Sequence, residues 1–343
     1  MPEEMKLKAP ESLTSAERIV FYDCAENMKY YQYGTAGGWK KYEANPVFGG
    51  GDYETCFDVS LLREPDTDGK MIYKMWFSWR PEKAIGYTES EDGIHWGVPQ
   101  IVLPPLQGSE WEADEVNRPV VIKHNGKYMM WYSGQMRPYR ENGYSVIALA
   151  ESEDGIHWER RPEPVMEPEG GWEMQAIMCP HVLYDEEDGL FKMWYAAGCN
   201  HEPDAIGYAS SPDGIRWTRY QNNPVLAGDP EYLWEQHKVV APCVVKEDGW
   251  FYMFYVGHLH EERAQVGLAR SRDGITNWEK HPANPLICPD EGKWDSVAVY
   301  KPYVMKTEEG WLMWYNGAAY DEPIWVLEQI GLCRLEGELF PGK

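Results

Sequence analysis

The sequence predicts an all-β protein, namely a five-bladed β-propeller of four-stranded antiparallel blades whose ring is closed by an N-terminal strand. The octapeptide "ESEDGIHW" occurs unchanged at 89–96 and 151–158, and looser copies follow at 210–217 and 271–278. Their aspartates stand 62, 59 and 60 residues apart, which indicates a repeated supersecondary unit. Each period contains four short apolar runs, and the fourth run missing from the last period is present near the N-terminus.

The four strands of one unit are clearest around the second copy. It begins with "WEADEVNRPVVIK" at 111–123, turns at "HNGK", and continues as "YMMWYSG" at 128–134. After a variable loop come "SVIALAES" at 145–152, the Asp-Gly turn, and a closing strand near "PEPVME". Alternating apolar runs separated by turn residues are typical of antiparallel strands. Matching second strands occur in the other four units: "MIYKMWFSW", "LFKMWYAAG", "WFYMFYVG" and "WLMWYNGA".

The last unit lacks the Asp-Gly-Ile turn and its fourth strand. The segment "GGWKKYEANPVF" at 37–48 supplies both a tryptophan, Trp39, in the place of Trp96, and an "NPVF" end like the "NPVL" at 223–226. A strand borrowed from the N-terminus removes the free sheet edge that a ring would otherwise expose. We therefore expect an N-terminal extension at 1–38 that is partly helical, the propeller at 39–335, and a tail at 336–343.

Composition excludes several classes of function. The chain of 343 residues contains 17 Trp, 23 Tyr, 32 Gly and 25 Pro, which favours many short strands and turns. A net charge of −24 argues against nucleic acid and anionic membranes as partners. No apolar secretory or membrane-spanning segment is evident, and seven cysteines without a Cys-x-x-Cys pair suit reduced thiols. We expect a cytoplasmic protein, and the sequence leaves its oligomeric state open.

The repeated turn itself is predicted to be structural. In "SEDGIHW" the Asp side chain can accept hydrogen bonds from its own turn backbone, and Gly can adopt a positive φ. The following Trp would pack between neighbouring blades. Every blade needs these contacts, and the Trp–Glu/Asp pairs that open blades two to five are expected to be structural for the same reason. Residues that differ between blades at one equivalent position are therefore the better candidates for a site.

Such a set immediately precedes the inner-strand prolines, where the innermost strands converge on the central axis. We call the five positions the mouth ring: Asp58, Arg118, Cys179, Ala241 and Lys301. Two residues further on, strand alternation places a second ring on the same face: Ser60, Val120, His181, Cys243 and Tyr303. His181 suits a core histidine and a catalytic one equally, and Arg118 and Lys301 suit either ligand binding or neutralisation of Asp58.

The loops between second and third strands return to this mouth, and they vary in sequence whereas the opposite turns are uniform. Rigid scaffolds carry their sites on such loops. Further substrate-binding candidates come from these loops and from the connections between blades: Trp79, Arg137, Tyr139, His237, Lys238, His258 and Tyr320. His258 and His260 lack companions at metal-ligand spacing, so no zinc site is predicted. No cofactor is expected, and a structural calcium ion in the central channel is left open.

The chain resembles the five-bladed propeller glycosidases of glycoside hydrolase families 32, 43, 68, 117 and 130. The resemblance covers residues 39 to about 335 and is carried by the "DGIxW" turns, the "NPV" strand ends and "FDVSLL" at 57–62. The last motif is similar to the blade-one strand that carries the base or nucleophile in families 43 and 32, which implies a catalytic role for Asp58. "EEGWLMWYNGA" at 308–318 resembles the last blade of family 130, which includes phosphorylases.

No single family's catalytic triad fits this chain. Family 43 would place an aspartate where Cys179 stands and a glutamate where Val240 stands, and family 32 would want acids in place of Met178 and Arg118. Inverting hydrolysis needs one carboxylate as base and another as acid. We expect Asp58 to be the base, kept ionised by Arg118 and Lys301, and Glu115 to be the acid, with Asp114 as its substitute.

Three functions agree with these residues. The first is a glycoside hydrolase acting on a small oligosaccharide, with the cations of the mouth pointing to an acidic sugar. The second is a glycoside phosphorylase resembling family 130, in which inorganic phosphate replaces water. The third is a carbohydrate-binding propeller without catalysis. A second carboxylate across the mouth from Asp58 would favour an enzyme, and Glu115 pointing into solvent would favour a binder.

Overall fold

The computed structural model describes residues 7–10, 12–136, 144–198, 203–321 and 325–340. Its secondary structure is mostly β, as the sequence predicts. One α-helix, α1 (Ser15–Tyr22), precedes the first strand, β1 (Lys40–Lys41). Among the described residues, no helix has the length and apolar character needed to cross a membrane.

The remaining strands follow in five groups along the chain. The first group is β2 (Cys56–Pro65), β3 (Met71–Trp79), β4 (Ala84–Ser90) and β5 (Gln100–Leu103). The second is β6 (Glu115–His124), β7 (Lys127–Met136), β8 (Tyr144–Ser152) and β9 (Glu159–Arg160). The third is β10 (Ala176–Asp185), β11 (Leu190–Gly198), β12 (Pro203–Ser211), β13 (Thr218–Arg219) and β14 (Leu226–Ala227). The fourth is β15 (Lys238–Glu247), β16 (Trp250–His258), β17 (Ala264–Ser271) and β18 (Glu279–Lys280), and the fifth is β19 (Ala298–Thr307), β20 (Gly310–Asp321) and β21 (Trp325–Leu335).

Among the described residues, backbone hydrogen bonds join these groups into four sheets. The first, fourth and fifth groups form four-stranded antiparallel sheets, and the second and third join into one nine-stranded sheet through a single parallel pair, Ser145 with Ala176. Strand β1 is the fourth strand of the sheet that the fifth group forms, where Lys40 pairs with Arg334 and Lys41 with Cys333. The N-terminal strand thus completes the last sheet. The number of separate blades and the closure of a ring remain predictions.

The repeated turns have the predicted structural form. The Oδ1 atom of Asp154 accepts hydrogen bonds from the backbone N–H groups of Ile156 and His157, each at 2.8 Å, and Gly155 has a φ of 81°. These hydrogen bonds hold the pKa of the Asp154 carboxyl well below its usual range, although slight burial opposes them. The other three turns repeat the arrangement around Asp92, Asp213 and Asp273.

Each turn is also a contact between neighbouring groups. The indole N–H of a second-strand tryptophan donates to the carbonyl of the turn glycine in the next group, in four pairs: Trp76 to Gly155, Trp131 to Gly214, Trp194 to Gly274, and Trp314 to Gly93. The fourth group has Phe254 at this position and the fifth group has no turn. There Phe254 instead packs edge-on against Trp39, with ring centroids 5.8 Å apart. The loss of the turn and the loss of the tryptophan therefore occur together.

The Trp–Glu/Asp pairs are structural as well. Their carboxylates are buried, and each lies against a tyrosine hydroxyl and a cation of a fourth strand, as for Glu173 with Tyr195 at 2.7 Å and Arg219 at 2.8 Å. In the fifth group the carboxylate is Asp295, and the cation is Lys41 of β1, at 2.6 Å. The N-terminal strand thus provides both a strand and a buried ion pair. Glu112 and Glu235 have the same surroundings.

Helix α1 begins with a capping box, in which Thr14 and Glu17 satisfy each other's backbone N–H groups. The extension, including the last residue of this helix, packs against the loop that follows β16. Tyr22 and Tyr31 form an apolar cluster with Leu259, and Tyr31 donates a 2.5 Å hydrogen bond to Asp23. The extension therefore lies on the face that carries the variable loops.

Candidate active site

The mouth ring has a distinctive backbone. All five residues adopt a left-handed φ: 50° at Asp58, 55° at Arg118, 51° at Cys179, 51° at Ala241 and 44° at Lys301. At each one the pairing of the inner strand with its neighbour shifts register, as at a β-bulge. Positive φ is unfavourable for residues other than glycine, and bulges redirect side chains. The repeat thus displays five different side chains at equivalent points.

Side chains of the preceding group anchor three of these bulges. The backbone N–H of Asp58 donates to Oδ1 of Asn316 at 2.9 Å, and that of Arg118 donates to the Ser78 hydroxyl at 2.7 Å. The backbone N–H of Cys179 likewise donates to the Ser133 hydroxyl, at 3.3 Å. The first of these contacts joins the fifth group to the first group and fixes the backbone of Asp58.

The carboxyl of Asp58 lies among cations. It is 3% exposed, and its Oδ2 is 3.2 Å from Nε of Arg118, an ion pair without the alignment of a hydrogen bond. Burial nevertheless raises the pKa of Asp58, while Arg118 and Lys301 act in the opposite direction. Removing the carboxylate from water therefore outweighs its attraction to the cations, and the role of Asp58 as the base stays a prediction. Asp58 therefore holds a proton more readily than a solvent-exposed aspartate does.

A second carboxylate near Asp58 was missed by the sequence analysis. Glu328 of β21 contributes a charge that raises the pKa of Asp58, and its Oε2 lies 2.7 Å from both Nε and Nη2 of Arg80. Its Oε1 accepts a hydrogen bond from the Tyr300 hydroxyl. The sequence feature that pointed toward this part of the site was Tyr300, because it immediately precedes the mouth-ring residue Lys301. Glu328 lies on the third strand of its group, whereas the sequence pattern places only first-strand residues at the central axis.

Glu115 is placed close to the same arginines. It is 2% exposed, and its Oε1 accepts a 2.8 Å hydrogen bond from Asn117, whose own Oδ1 accepts from Nη1 of Arg118 at 2.9 Å. The charge of Glu115 also acts on both Arg80 and Arg118. Glu115 therefore does not point into solvent, and its place favours an enzyme over a binder. Asp114 lies beside it and is half-buried.

The other half of the mouth is apolar. Cys179 and Ala241 belong to a cluster of small buried side chains from the third, fourth and fifth groups, against which Tyr300 packs. Cys179 occupies the position at which the family-43 pattern would place an aspartate. Burial raises the pKa of its thiol, although the charges of Arg118 and Lys301 act in the opposite direction. The mouth is thus charged on the side of the first, second and fifth groups and apolar opposite.

The second ring joins neighbouring inner strands. His181 Nε2 lies 2.8 Å from the carbonyl of Val244, the Tyr303 hydroxyl donates to the carbonyl of Leu61 at 2.6 Å, and Ser60 accepts from the backbone of Val121 at 2.9 Å. Burial lowers the pKa of His181 to about 3, so its ring is neutral. These contacts fit the core-histidine alternative. Below His181 and Tyr303 a cavity of about 340 Å³ opens at the far end of the inner strands.

A further predicted histidine, His237, lies beneath the N-terminal extension. His237 Nε2 lies 3.6 Å from Oε1 of Glu261. His237, Glu261 and His260 line a cavity of about 160 Å³, and Arg18 and Tyr22 of the extension line it as well. His258 and Lys238 are buried partners in one strand pair. Burial, together with the charge of Lys238, lowers the pKa of His237.

The aromatic candidates are spread out. The Trp79 indole donates to the carbonyl of Tyr53 at 3.0 Å and packs on neighbouring rings, whereas Tyr320 is 57% exposed and bonds Glu262. Arg137 and Tyr139 lie outside the described residues. Within the described ranges, no group of three or more His, Cys, Asp or Glu side chains could hold a metal ion.

Comparison with known proteins places the chain among carbohydrate-active enzymes. An uncharacterized protein of Mycobacterium tuberculosis (strain ATCC 25618 / H37Rv) is 28% identical over 221 residues, or 61% of this chain and 69% of the relative. A 1,2-beta-oligomannan phosphorylase of Thermoanaerobacter sp. (strain X514) is 29% identical over 224 residues, or 63% of this chain and 69% of the relative.

The fold also has solved counterparts. The crystal structure of a thermostable family-43 glycoside hydrolase superposes with a TM-score of 0.66 at 19% identity, covering 91% of this chain and 98% of that one. The sequence model of glycosyl hydrolases family 43 matches residues 89–334, a span that begins after Asp58. The predicted resemblance to propeller glycosidases is confirmed. This chain belongs to glycosyl hydrolases family 43.

Proposed function

We propose that this protein hydrolyses the glycosidic bond of a small anionic oligosaccharide or glycoside, with Asp58 transferring the proton to the leaving oxygen. The observation that carries the proposal is a buried carboxyl with a raised pKa beside Arg118 and Lys301, at the position where the inner strands converge. A carboxyl group whose pKa is raised by burial is the usual proton donor in glycoside cleavage. The cations would hold the negative charge of the substrate.

The reaction also needs a group that supplies or activates the nucleophile. Two candidates lie near the arginines. Glu115 is the predicted second carboxylate, and its hydrogen bond to Asn117 links it to Arg118. The pair formed by Tyr300 and Glu328 is the other. Either arrangement supports an enzyme rather than a binding protein.

A glycoside phosphorylase is the second candidate function. The observation that favours it is the cation cluster itself, because Arg118 and Lys301 would serve inorganic phosphate as well as a sugar carboxylate. The relative from Thermoanaerobacter, named as a phosphorylase, adds support. A requirement for phosphate in turnover separates the two functions.

The test uses 4-nitrophenyl glycosides of uronic acids and neutral sugars, each with and without inorganic phosphate. Asp58→Asn should lower kcat/KM about a hundredfold to ten-thousandfold, with an unchanged melting temperature. The matched control is Asp68→Asn, an exposed turn aspartate at the far end of the same strand pair. Near-normal turnover by Asp58→Asn would place the site elsewhere, and no turnover of any glycoside by the wild type would favour the binding protein.

We also propose that the five strand groups form one closed five-bladed ring. Contacts between the fifth and first groups support it: Tyr303 to Leu61, Asn316 to Asp58, and Trp314 to Gly93. A cytoplasmic location is proposed from the six described cysteines, which are all free thiols. Fractionation of cells that produce the protein would test the location.

A further inference from the structure

We propose that residues 97–109, at the outer edge of the first strand group, form the surface through which two copies of this chain associate as a two-fold dimer. The segment contains β5, which is the last strand of its sheet and lies three strands away from the inner strand that carries Asp58. Its role is therefore independent of the chemistry at the mouth. The proposal goes beyond the glycoside-cleaving function and stands or falls without it.

The first group lacks the buried carboxylate, tyrosine and cation that meet in each of the other four groups. In those groups the cation stands two residues after a repeated tryptophan, as Arg160 follows Trp158. The equivalent residue of the first group is Val98. Phe77 replaces the tyrosine, and Asp52, which is exposed, takes the carboxylate position. All three members of the contact are thus replaced together, and Val98 is 86% exposed.

The packing of the first group does not require this exposed valine. In the second group a Cβ atom on Gly134 would lie 2.7 Å from the Trp111 ring, so the glycine makes room for that tryptophan. In the first group the two residue types are exchanged, with Gly51 at the tryptophan position and Trp79 at the glycine position. The ring centroids of Trp79 and Phe77 are 5.8 Å apart, so Trp79 fills the space from its own strand.

Exposed apolar side chains are concentrated at this edge. Among the described residues, eight large apolar side chains are exposed, and three of them lie within nine residues: Val98 at 86%, Ile101 at 43% and Leu106 at 47%. Strand β5 has four residues, whereas its counterparts β1, β9, β13 and β18 have two each. No described strand pairs with its free side. Apolar side chains beside an open strand edge mark a surface that another protein covers.

Charge indicates that the covering protein is a second copy of this chain. Each copy has a net charge of −24, so two copies repel each other. In a two-fold interface the same patch lies on both sides, and a charged group near the axis would face its own copy. The segment "GVPQIVLPPLQGS" at 97–109 contains no charged residue, whereas the equivalent segment at 159–170 contains six. A foreign partner of so acidic a chain would instead be recognised through opposite charge.

The size of the surface sets the strength of the dimer. A stable interface buries about 800 Å² on each partner, and one short strand with three exposed apolar side chains provides less. Pro99 precedes β5, and Pro104 and Pro105 follow it. Because proline has no N–H group to donate, these residues limit any pairing between copies to the four residues of the strand. We therefore expect a reversible dimer with a dissociation constant of about 1–100 µM.

The experiment is analytical ultracentrifugation of the full chain at protein concentrations below and above that range, at low and at high sodium chloride. The monomer should predominate in dilute solution and the dimer in concentrated solution. Added salt should lower the dissociation constant, because it screens the repulsion between the two acidic chains while the interface itself contains no ion pair. Hydrogen–deuterium exchange at the two concentrations should show slower exchange in peptides that cover 97–109.

The variants locate the surface. Val98→Lys introduces a residue type that other groups have at this position, and it should raise the dissociation constant at least about tenfold, with an unchanged melting temperature in dilute solution. Ile101→Lys should act in the same direction. The matched control is Val20→Lys, because Val20 of α1 is 72% exposed and its replacement changes the net charge by the same amount. This control should dimerise like the wild type.

Each contrary result overturns the proposal. A wild type that stays monomeric at every concentration shows that no dimer forms. A dimer that persists in Val98→Lys, or that Val20→Lys abolishes, uses another surface, as does one whose slowed exchange falls outside 97–109. A dimer that salt dissociates is held by ion pairs, which contradicts an uncharged interface. Assembly that continues beyond two copies contradicts the two-fold arrangement.

Discussion

Replacing Lys41 with methionine tests the contact by which the N-terminal strand completes the last sheet. The Lys41 ammonium lies 2.6 Å from Asp295 and 2.7 Å from the carbonyl of Cys288, with the Asp295 side chain fully buried. Methionine keeps most of the apolar stem but leaves that carboxylate without its cation. Breaking one partner of a buried pair costs about 3–5 kcal/mol, because an uncompensated charge remains.

That loss translates into a measurable change in melting temperature. At about 2.1 cal/mol/K per residue, the entropy of unfolding for 343 residues is about 0.7 kcal/mol/K, so Lys41→Met should melt about 4–7 °C below the wild type. Differential scanning calorimetry measures this directly. The control is Lys40→Met, because the side chain of Lys40 is exposed on the same strand; it should melt like the wild type.

A double variant completes the test. Adding Asp295→Asn to Lys41→Met removes the unpaired charge, so the double variant should melt above the single variant. If Lys41→Met and Lys40→Met melt at the same temperature, the buried pair does not form in solution. The reasoning that β1 completes the last sheet would then be refuted.

Three further predictions follow from the turns and the mouth. Asp154→Ala should lower the free energy of unfolding by about 1 kcal/mol, measured by urea denaturation, and leave turnover intact; full stability with abolished turnover would make the repeated turn catalytic. Hydrogen bonds of the turn lower the pKa of Asp273 to about 2, so its stabilisation is present above its unfolded pKa of about 4 and lost as pH falls toward 2; melting of Asp273→Asn should therefore depend less on pH in that window, and an unchanged slope would contradict this. Lys301→Met should weaken binding of sulfate or phosphate about tenfold to a hundredfold, measured by isothermal titration calorimetry; equal affinity in both proteins would remove Lys301 from the anion site.

The sequence alone determined the framework. An apolar pattern of four strands, repeated with the Asp-Gly turn, is a local signal, since each strand and turn is encoded by adjacent residues. The same repeat aligned Asp58 with Arg118, Cys179, Ala241 and Lys301, and the structure gives all five the same left-handed bulge. Even the segment that completes the last sheet was readable, because Trp39 occupies the position of a repeated tryptophan.

Tertiary structure alone decided what surrounds Asp58. Arg80 and Glu328 are 248 residues apart, and no periodicity relates a loop of the first group to the third strand of the fifth. Their contact depends on how the groups pack around the axis. The direction of the pKa shift of Asp58 could not be predicted from the sequence either. The sequence contains the cations, but the burial that outweighs their effect exists only in the folded chain. A repeat specifies equivalent positions, and packing determines which of the unlike side chains at those positions meet.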